Sequence, residues 1–438
     1  MDLKVSGLSC SFCRKGRHFL YYRNISGGAP SEKTGGGGIL HIFHISDLHI
    51  GKQLNGYSLR KNQEKVLEQV AAAAKSEKPD VILICGDIYD KTVPSGEAYQ
   101  MFDHFLESLG DIRPQIPALI IAGNHDSPER LKFASSFLEK HKIYIAALPP
   151  QQPEERLKKI RLEDECGPVN FYMLPFVKPG MVRQLIQREK EEQGEEIQGE
   201  FGYQEAVEAL LKREKIDLSE RNVLLSHQFY TAGENRPETC DSELAAAAAG
   251  GLDEIHIKAV EMFDYVALGH LHGFQSVGRD YICYSGSPYK YSVSEERHKK
   301  GILSVKLGKK GEPVEKKRIP LSGLQDVRKE QGTLEEVLGR ATEENRKDFV
   351  SITLTDEKET YNFRDKLEEV YEYILDIRID NERIRKAIEG DREELRTLTP
   401  LESFCEFYQA VRHMPISQEE AEVMEQVITG VERMGEDE

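Results

Sequence analysis

The sequence predicts an α/β fold built on a parallel sheet, and three observations lead there. After residue 38, short apolar runs alternate with stretches of helical periodicity. The apolar run Val81-Ile82-Leu83-Ile84-Cys85 is continuous rather than alternating, as in a strand covered on both faces. Polar residues gather where the runs end.

Residues 1–38 precede this pattern. They are mixed in charge, contain Gly27-Gly28 and close on Gly35-Gly36-Gly37-Gly38, the composition of a flexible N-terminal extension. Cys10-Ser11-Phe12-Cys13 has half the spacing of a zinc knuckle. No second Cys/His pair follows nearby, so unpaired thiols are the simpler reading.

From Ile39 the chain becomes regular. His41 to Ser46 reads as a strand running into Asp47-Leu48-His49, and Ser58 to Lys75 as a helix with Leu59, Val66, Leu67 and Val70 on its apolar face. The strand within Pro79 to Gly86 follows and runs into Asp87-Ile88-Tyr89-Asp90. A helix over about 95–109 carries Met101, Phe102, Phe105, Leu106 and Leu109 at helical spacing. Pro117 to Ala122 is a third strand, ending in Gly123-Asn124-His125-Asp126, and Ser127-Pro128-Glu129 opens the next helix.

Residues 151–168 and 187–200 are polar; the second, a Glu/Gln/Lys run, reads as a solvated loop or helix end. Val169 to Phe176 is a strand and 203–212 a helix. Asn222 to Ser226 is a strand running into His227-Gln228, and the Ala245–Ala249 run is a loop or short helix. Phe263 to Leu268 is a strand ending in Gly269-His270-Leu271-His272-Gly273. Tyr281 to Pro288 and Gly301 to Leu321 add short strands, so that this half reads as a second sheet packed on the first. Beyond Leu321, strands at Phe349–Thr355 and Tyr373–Ile379 flank a helix at 359–372 and make a small βαβ module. Thr399-Pro400 introduces two amphipathic helices, a C-terminal hairpin that either packs on its own domain or docks on another protein. The expected division is an extension at 1–38, a main domain at 39–322, the small module at 323–390 and the terminal helices at 391–438.

At 438 residues the chain is too long for one ordinary core. No run approaches the ~18 apolar residues of a membrane span, and the first twenty residues lack the apolar core of a secretory signal. A cytoplasmic protein without membrane attachment is expected, its seven cysteines reduced. The net charge of −17 argues against a basic coat on DNA, though not against DNA as a substrate met in a local groove.

Taken singly, each polar strand end has an ordinary explanation, since a Gly-Asp caps turns and a lone His is usually a satisfied core or surface residue. Together, Asp47 and His49, Asp87, Asn124 and His125, His227, and His270 and His272 follow five apolar strands. Carboxylate, amide oxygen and imidazole are ligands suited to manganese, iron or zinc. A set of this size exceeds the needs of one tetrahedral ion and suits two ions with one shared ligand.

Asp47-x-His49, Gly86-Asp87-x-x-Asp90, Gly123-Asn124-His125-Asp126, His227 and Gly269-His270-x-His272 resemble, in order and spacing, the calcineurin-like metallophosphoesterases. More narrowly, Asn124 to Leu131 and Tyr284 to Ser292 are similar to the SbcD family of bacterial nuclease subunits, a likeness running from about Ile39 to the C-terminus. Members usually begin just before the first strand, so an upstream start miscall is the expected origin of residues 1–38. The resemblance implies a two-sheet α/β/β/α sandwich with a small capping domain that guides DNA. Asp47, His49 and His272 would bind one divalent ion and Asn124, His227 and His270 the other, with Asp87 bridging and manganese the expected metal. His125 would face the substrate and Asp126 orient its ring; Asp90 falls outside the ligand set. The implied function is double-strand 3′→5′ exonuclease and single-strand and hairpin endonuclease action in DNA repair and recombination. The implied assembly is a homodimer joined by the terminal helices to an SbcC-like coiled-coil ATPase in a heterotetramer. The chain has no G-x-x-x-x-G-K-[ST] loop to bind nucleotide itself. Two other readings stand beside it: a general phosphatase or cyclic-nucleotide phosphodiesterase, and a scaffold whose metals serve only structure.

Overall fold

Val81–Cys85 is buried at every position, and the reason is that sheet and helices cover it from both sides. It lies parallel to Leu40–Ile45 on one side and to Ala118–Ile121 on the other. The computed structural model describes residues 39–192, 201–233, 236–243, 254–356, 362–380 and 400–412, with single positions at 194, 197 and 199 and between 416 and 428. The extension 1–38 with Cys10 and Cys13, the Ala245–Ala249 run, residues 381–399 and most of the second terminal helix lie outside the described residues.

The first sheet has the order Glu315–Pro320, Gly301–Leu307, Leu40–Ile45, Val81–Cys85, Ala118–Ile121, Ile143–Ala146. The last four are mutually parallel, and Gly301–Leu307 joins antiparallel to Leu40–Ile45. The second sheet runs Gln275–Val277, Arg279–Tyr284, Tyr265–Gly269, Arg221–His227, Gly167–Leu174, Lys158–Asp164, again with four parallel strands at its heart. The sheets meet through Ile42, Leu83 and Ile121 of the first and Phe171, Leu225 and Ala267 of the second. Buried His44 ties them, its Nδ1 2.8 Å from Tyr265 Oη and its Nε2 3.1 Å from the Leu268 carbonyl. Helices Arg60–Glu77 and Gly96–Gly110 cover the outer face of the first sheet through Val66, Val70, Phe102 and Phe105. Helices Pro179–Glu192 and Tyr203–Lys212 cover the second through Leu185, Ile186, Val207 and Leu210. The layers are therefore α/β/β/α.

One expectation needs correction, and two polar stretches contain regular structure. Gly301 to Leu321 belongs to the first sheet, not the second, because its hairpin pairs with Leu40–Ile45 across the whole chain. The polar stretch 151–168 contains the strand Lys158–Asp164, whose alternating charges face solvent from the sheet edge. The run at 187–200 begins as the last turns of a helix, Pro179–Glu192.

The small module is richer than βαβ. Val327–Gly332, Phe349–Leu354 and Tyr373–Ile379 form a parallel sheet, with Leu334–Gly339 and Phe363–Glu368 as its helices. Thr333 and Glu336 open the first helix with a capping box. Val337, Ile352, Leu367 and Tyr371 make its core. The first terminal helix is Pro400–Arg412, and Tyr408 Oη reaches Glu420 Oε1 at 3.0 Å. Among the described cysteines, Cys85, Cys240, Cys283 and Cys405 are free thiols. Among the described residues no helix is long and apolar enough to cross a membrane.

Candidate metal centre

The parallel strands of both sheets deliver their C-terminal ends to one place, the usual position of a site on an open α/β sheet. The chain leaves them through tight turns. Asp47, His49, Asp87 and His270 have φ of 54°, 42°, 51° and 103°, conformations costing about 1–3 kcal/mol each for residues with a Cβ. Backbone bonds hold the turns together: Asp47 N–H donates to Gly86 O at 3.0 Å and His49 N–H to Asp87 O at 2.9 Å.

Gly123 shows how close the turns come, since a Cβ there would lie 2.1 Å from Asp87 Oδ1. Gly123→Ala is expected to displace Asp87, lowering stability by about 1–3 kcal/mol and weakening metal binding, as thermal unfolding and metal titration would register. Wild-type behaviour in both would contradict the packing described.

The structure brings all seven expected ligand side chains together. Asp47, His49 and His272 offer donor atoms within 4.8 Å of one another, and so do Asp47, Asp87 and His227. His49 Nε2 is 3.2 Å from His272 Nε2. Asn124 Oδ1 is 3.1 Å from His227 Nε2 and 3.0 Å from His270 Nδ1. Asp87 lies between the two groups, with Oδ2 3.3 Å from His227 Nε2 and 3.6 Å from His49 Nε2.

The donor chemistry fits metal cations. His227 Nδ1 lies 2.7 Å from the Cys85 carbonyl and carries its proton there, so Nε2 of the neutral ring is a bare lone pair. It faces two oxygens, Asn124 Oδ1 and Asp87 Oδ2, which are acceptors as well. Only a cation or a further proton satisfies three acceptors at once. Burial opposes a charge on His227, but the Asp87 carboxylate overrides it and raises the pKa to about 9. For Asp87 the burial penalty is likewise outweighed, by His227 and His49, and its pKa lies well below the carboxylate range. Burial raises Asp47 to about 6 against the pull of His227 and His272. Burial also lowers His49 to about 4 and, with the charge of His227, His270 to about 3. Neutral imidazoles beside carboxylates are the form metals require.

His125 sits beside this cluster, its ring 4.8 Å from that of His49. Its backbone N–H donates to Asp87 Oδ1 at 2.9 Å, and its Nδ1 lies 2.9 Å from the Asp90 carbonyl. The expectation that Asp126 orients this ring is corrected. Asp126 accepts instead from the backbone N–H groups of Ile88, Tyr89 and Gly123, at 3.1, 3.0 and 2.8 Å. It knits two turns together. Asp90 takes the orienting part, through its carbonyl to His125 and its carboxylate, 3.6 Å from His49 Nδ1 and 2.8 Å from Lys52 Nζ.

Sequence reasoning missed Glu295. Fully buried, it lies 3.1 Å from His272 Nδ1 and also pairs with Lys300, whose ammonium reaches the His272 carbonyl at 2.9 Å. Ser242 Oγ lies 3.0 Å from the same Nδ1. Such a carboxylate fixes the tautomer that leaves Nε2 free and raises the ring's basicity. Nothing in Ser294-Glu295-Glu296-Arg297 separates Glu295 from a surface residue, because neither periodicity nor a following apolar run marks it. Glu295→Gln is expected to weaken metal binding about 10–100-fold, measured by calorimetric titration; an unchanged affinity would remove Glu295 from the site.

Residues 40–274 match the calcineurin-like phosphoesterase family, and residues 323–412 match the type 5 capsule protein repressor C-terminal domain. A Staphylococcus epidermidis protein, named as the SbcD component of the SbcCD nuclease, is 31% identical over 339 residues, 77% of this chain and 84% of the relative. The protein of the same name from Staphylococcus saprophyticus subsp. saprophyticus is 27% identical over 399 residues, 90% of this chain and 98% of the relative. With a family match over more than half its length and relatives aligned over most of theirs, the chain belongs to the calcineurin-like phosphoesterases, hydrolases that use divalent metal ions, and within them to the SbcD group of nuclease components.

Proposed function

We propose that this chain is the nuclease subunit of an SbcCD-like complex, cutting DNA phosphodiester bonds as a 3′→5′ exonuclease on duplex ends and an endonuclease on single strands and hairpins. The observation that carries the reading is the place of Asp87, whose carboxylate joins a group of Asp47, His49 and His272 to a group of Asn124, His227 and His270. Asp47, His49 and His272 would hold one divalent ion and Asn124, His227 and His270 another, with Asp87 shared between them; such ions, manganese in our reading, would supply Lewis acidity toward a phosphodiester.

The chain's own residues do the rest. With Nδ1–H held by the Asp90 carbonyl, His125 has Nε2 as its remaining nitrogen; as an imidazolium it passes a proton to the departing 3′ oxygen. The left-handed turns at Asp47, His49, Asp87 and His270 hold the site in its working shape before substrate arrives, so little reorganisation is left to the reaction. The names of the relatives support a second component, SbcC; in our reading it is a coiled-coil ATPase. We place it on the terminal helices beginning at Pro400, with two copies of each chain in the assembly and the module after residue 322 guiding DNA.

The test is a nuclease assay of the purified pair on labelled hairpin and blunt duplex DNA. Manganese, magnesium and zinc are compared, with and without ATP. Manganese-dependent cutting abolished by a chelator is expected. Hydrolysis of aryl phosphates or cyclic nucleotides without any cutting of DNA would replace this reading with a general phosphodiesterase.

A further inference from the structure

Directly beyond the ligand His272 the surface opens into a cavity of about 530 Å³. Arg236, Arg297, Lys299 and Arg318 line it against one carboxylate, Glu238, in a chain whose net charge is −17. Glu254 neutralises Arg236 at 2.8 Å, whereas Arg297 and Lys299 stand exposed. Cations concentrated in one recess of an acidic protein answer to an anion.

The cavity also has a flat aromatic wall. Phe274, two residues from His272, is 39% exposed, and the Arg318 guanidinium lies 4.5 Å from its ring centroid. Gly301 leaves room for that arrangement, since a Cβ there would stand 2.9 Å from Arg318 Cγ. The recess is held in register with the site. Glu295 and Lys300 turn inward onto His272, at Nδ1 and the carbonyl, while Arg297 and Lys299 between them turn outward into the cavity.

Exposed cations beside an aromatic face are the two parts of a single-strand nucleic-acid site: the cations follow the phosphates and the ring stacks a base. An acidic peptide would use the cations and leave Phe274 without a role, and paired DNA keeps its bases stacked in the duplex and out of reach. We infer that this cavity holds an unpaired nucleotide next to the bond being cut, its base on Phe274 and its phosphates on Arg297 and Lys299. The inference rests on the nuclease reading and assigns its action on unpaired strands to a defined seat beside the metal centre.

The test compares a single-stranded oligonucleotide with bis(p-nitrophenyl) phosphate, a diester too small to span site and cavity, in manganese. Phe274→Leu keeps an apolar side chain under Arg318 and removes the aromatic face. It should lower the ratio of kcat/KM on oligonucleotide to that on the small diester about tenfold. An abasic residue scanned along the strand should cost the wild type a similar factor at one position and the variant nothing more. Arg297→Ala and Lys299→Ala should each reduce the salt slope of oligonucleotide binding by about 0.7. An unchanged ratio, abasic and Phe274→Leu penalties that add, or unchanged slopes would overturn the inference. So would displacement of the oligonucleotide by polyglutamate equally from wild type and Phe274→Leu, which would assign the cavity to an acidic peptide. A wild-type protein that hydrolyses the small diester but cuts no oligonucleotide contradicts the nuclease reading instead, and the salt slopes, read without cleavage, still decide the cavity.

Discussion

Asp87→Ala is expected to cost the protein both metal ions and at least about a thousandfold in phosphodiester hydrolysis. Asp87 reaches both donor groups, with Oδ2 3.3 Å from His227 Nε2 and 3.6 Å from His49 Nε2, and its other oxygen accepts from the backbone N–H of His125 at 2.9 Å. Its loss therefore removes the bridge and releases the segment carrying His125. A pH effect follows from the same contact. Because Asp87 raises His227 to about 9, a metal binding at neutral pH must displace a proton from that ring. Apparent affinity should then climb as pH rises toward 9, up to tenfold per unit for one proton released. In Asp87→Ala the largest cause of the raised value is gone, while Asp47 and the Cys85 carbonyl still favour the charged ring, so this pH dependence should weaken. Manganese titration calorimetry in buffers of different ionisation enthalpy would report both the stoichiometry and the proton. A variant that still bound two equivalents at normal affinity would refute the bridging assignment.

His125→Asn is expected to slow DNA cleavage about 10²–10⁴-fold and to leave metal binding intact. The contact of residue 125 with Asp87 runs through the backbone N–H, which the substitution keeps. The new amide can still donate to the Asp90 carbonyl that now faces His125 Nδ1, but it has no proton to pass on. The leaving group separates a proton donor from a merely structural residue. A p-nitrophenolate departs without protonation, so hydrolysis of a nitrophenyl diester should suffer much less than cutting of DNA, whose alkoxide needs the proton. Equal losses on both substrates, or unchanged DNA cleavage, would take that role away from His125.

The parts of this protein legible in sequence are those governed by short-range rules. Val81 to Cys85 could be read as a covered strand because five adjacent residues are apolar. The ligand types at the ends of the strands could be read because each follows its apolar run within a few positions. Gly123 already announced a turn, though not that Asp87 would occupy the space where its Cβ would stand.

What sequence left open depends on contacts across the chain. Lys158–Asp164 shows in sequence only as part of a polar stretch, because an edge strand needs only its alternation and charges on both sides obscure that. Gly301–Leu307 reads as part of the wrong sheet because its pairing partner lies at Leu40–Ile45, and local pattern carries no information about which distant edge is free. The resemblance assigns Asp126 to His125, yet neighbouring side chains in a turn diverge, and Asp126 points back to three backbone N–H groups. Glu295 had no mark at all until the fold laid it under His272.

Residue order along the chain thus determined the ingredients: a layered α/β protein, seven ligand-type side chains and the glycines that let the turns form. Tertiary structure decided the pairing, joining Asp47 to the His270 N–H at 3.0 Å across 223 residues and setting Asp87 between two groups drawn from both sheets. The reason is physical. Hydrophobic periodicity acts over one turn or one strand, whereas the distances that make a metal centre are set by how two sheets pack.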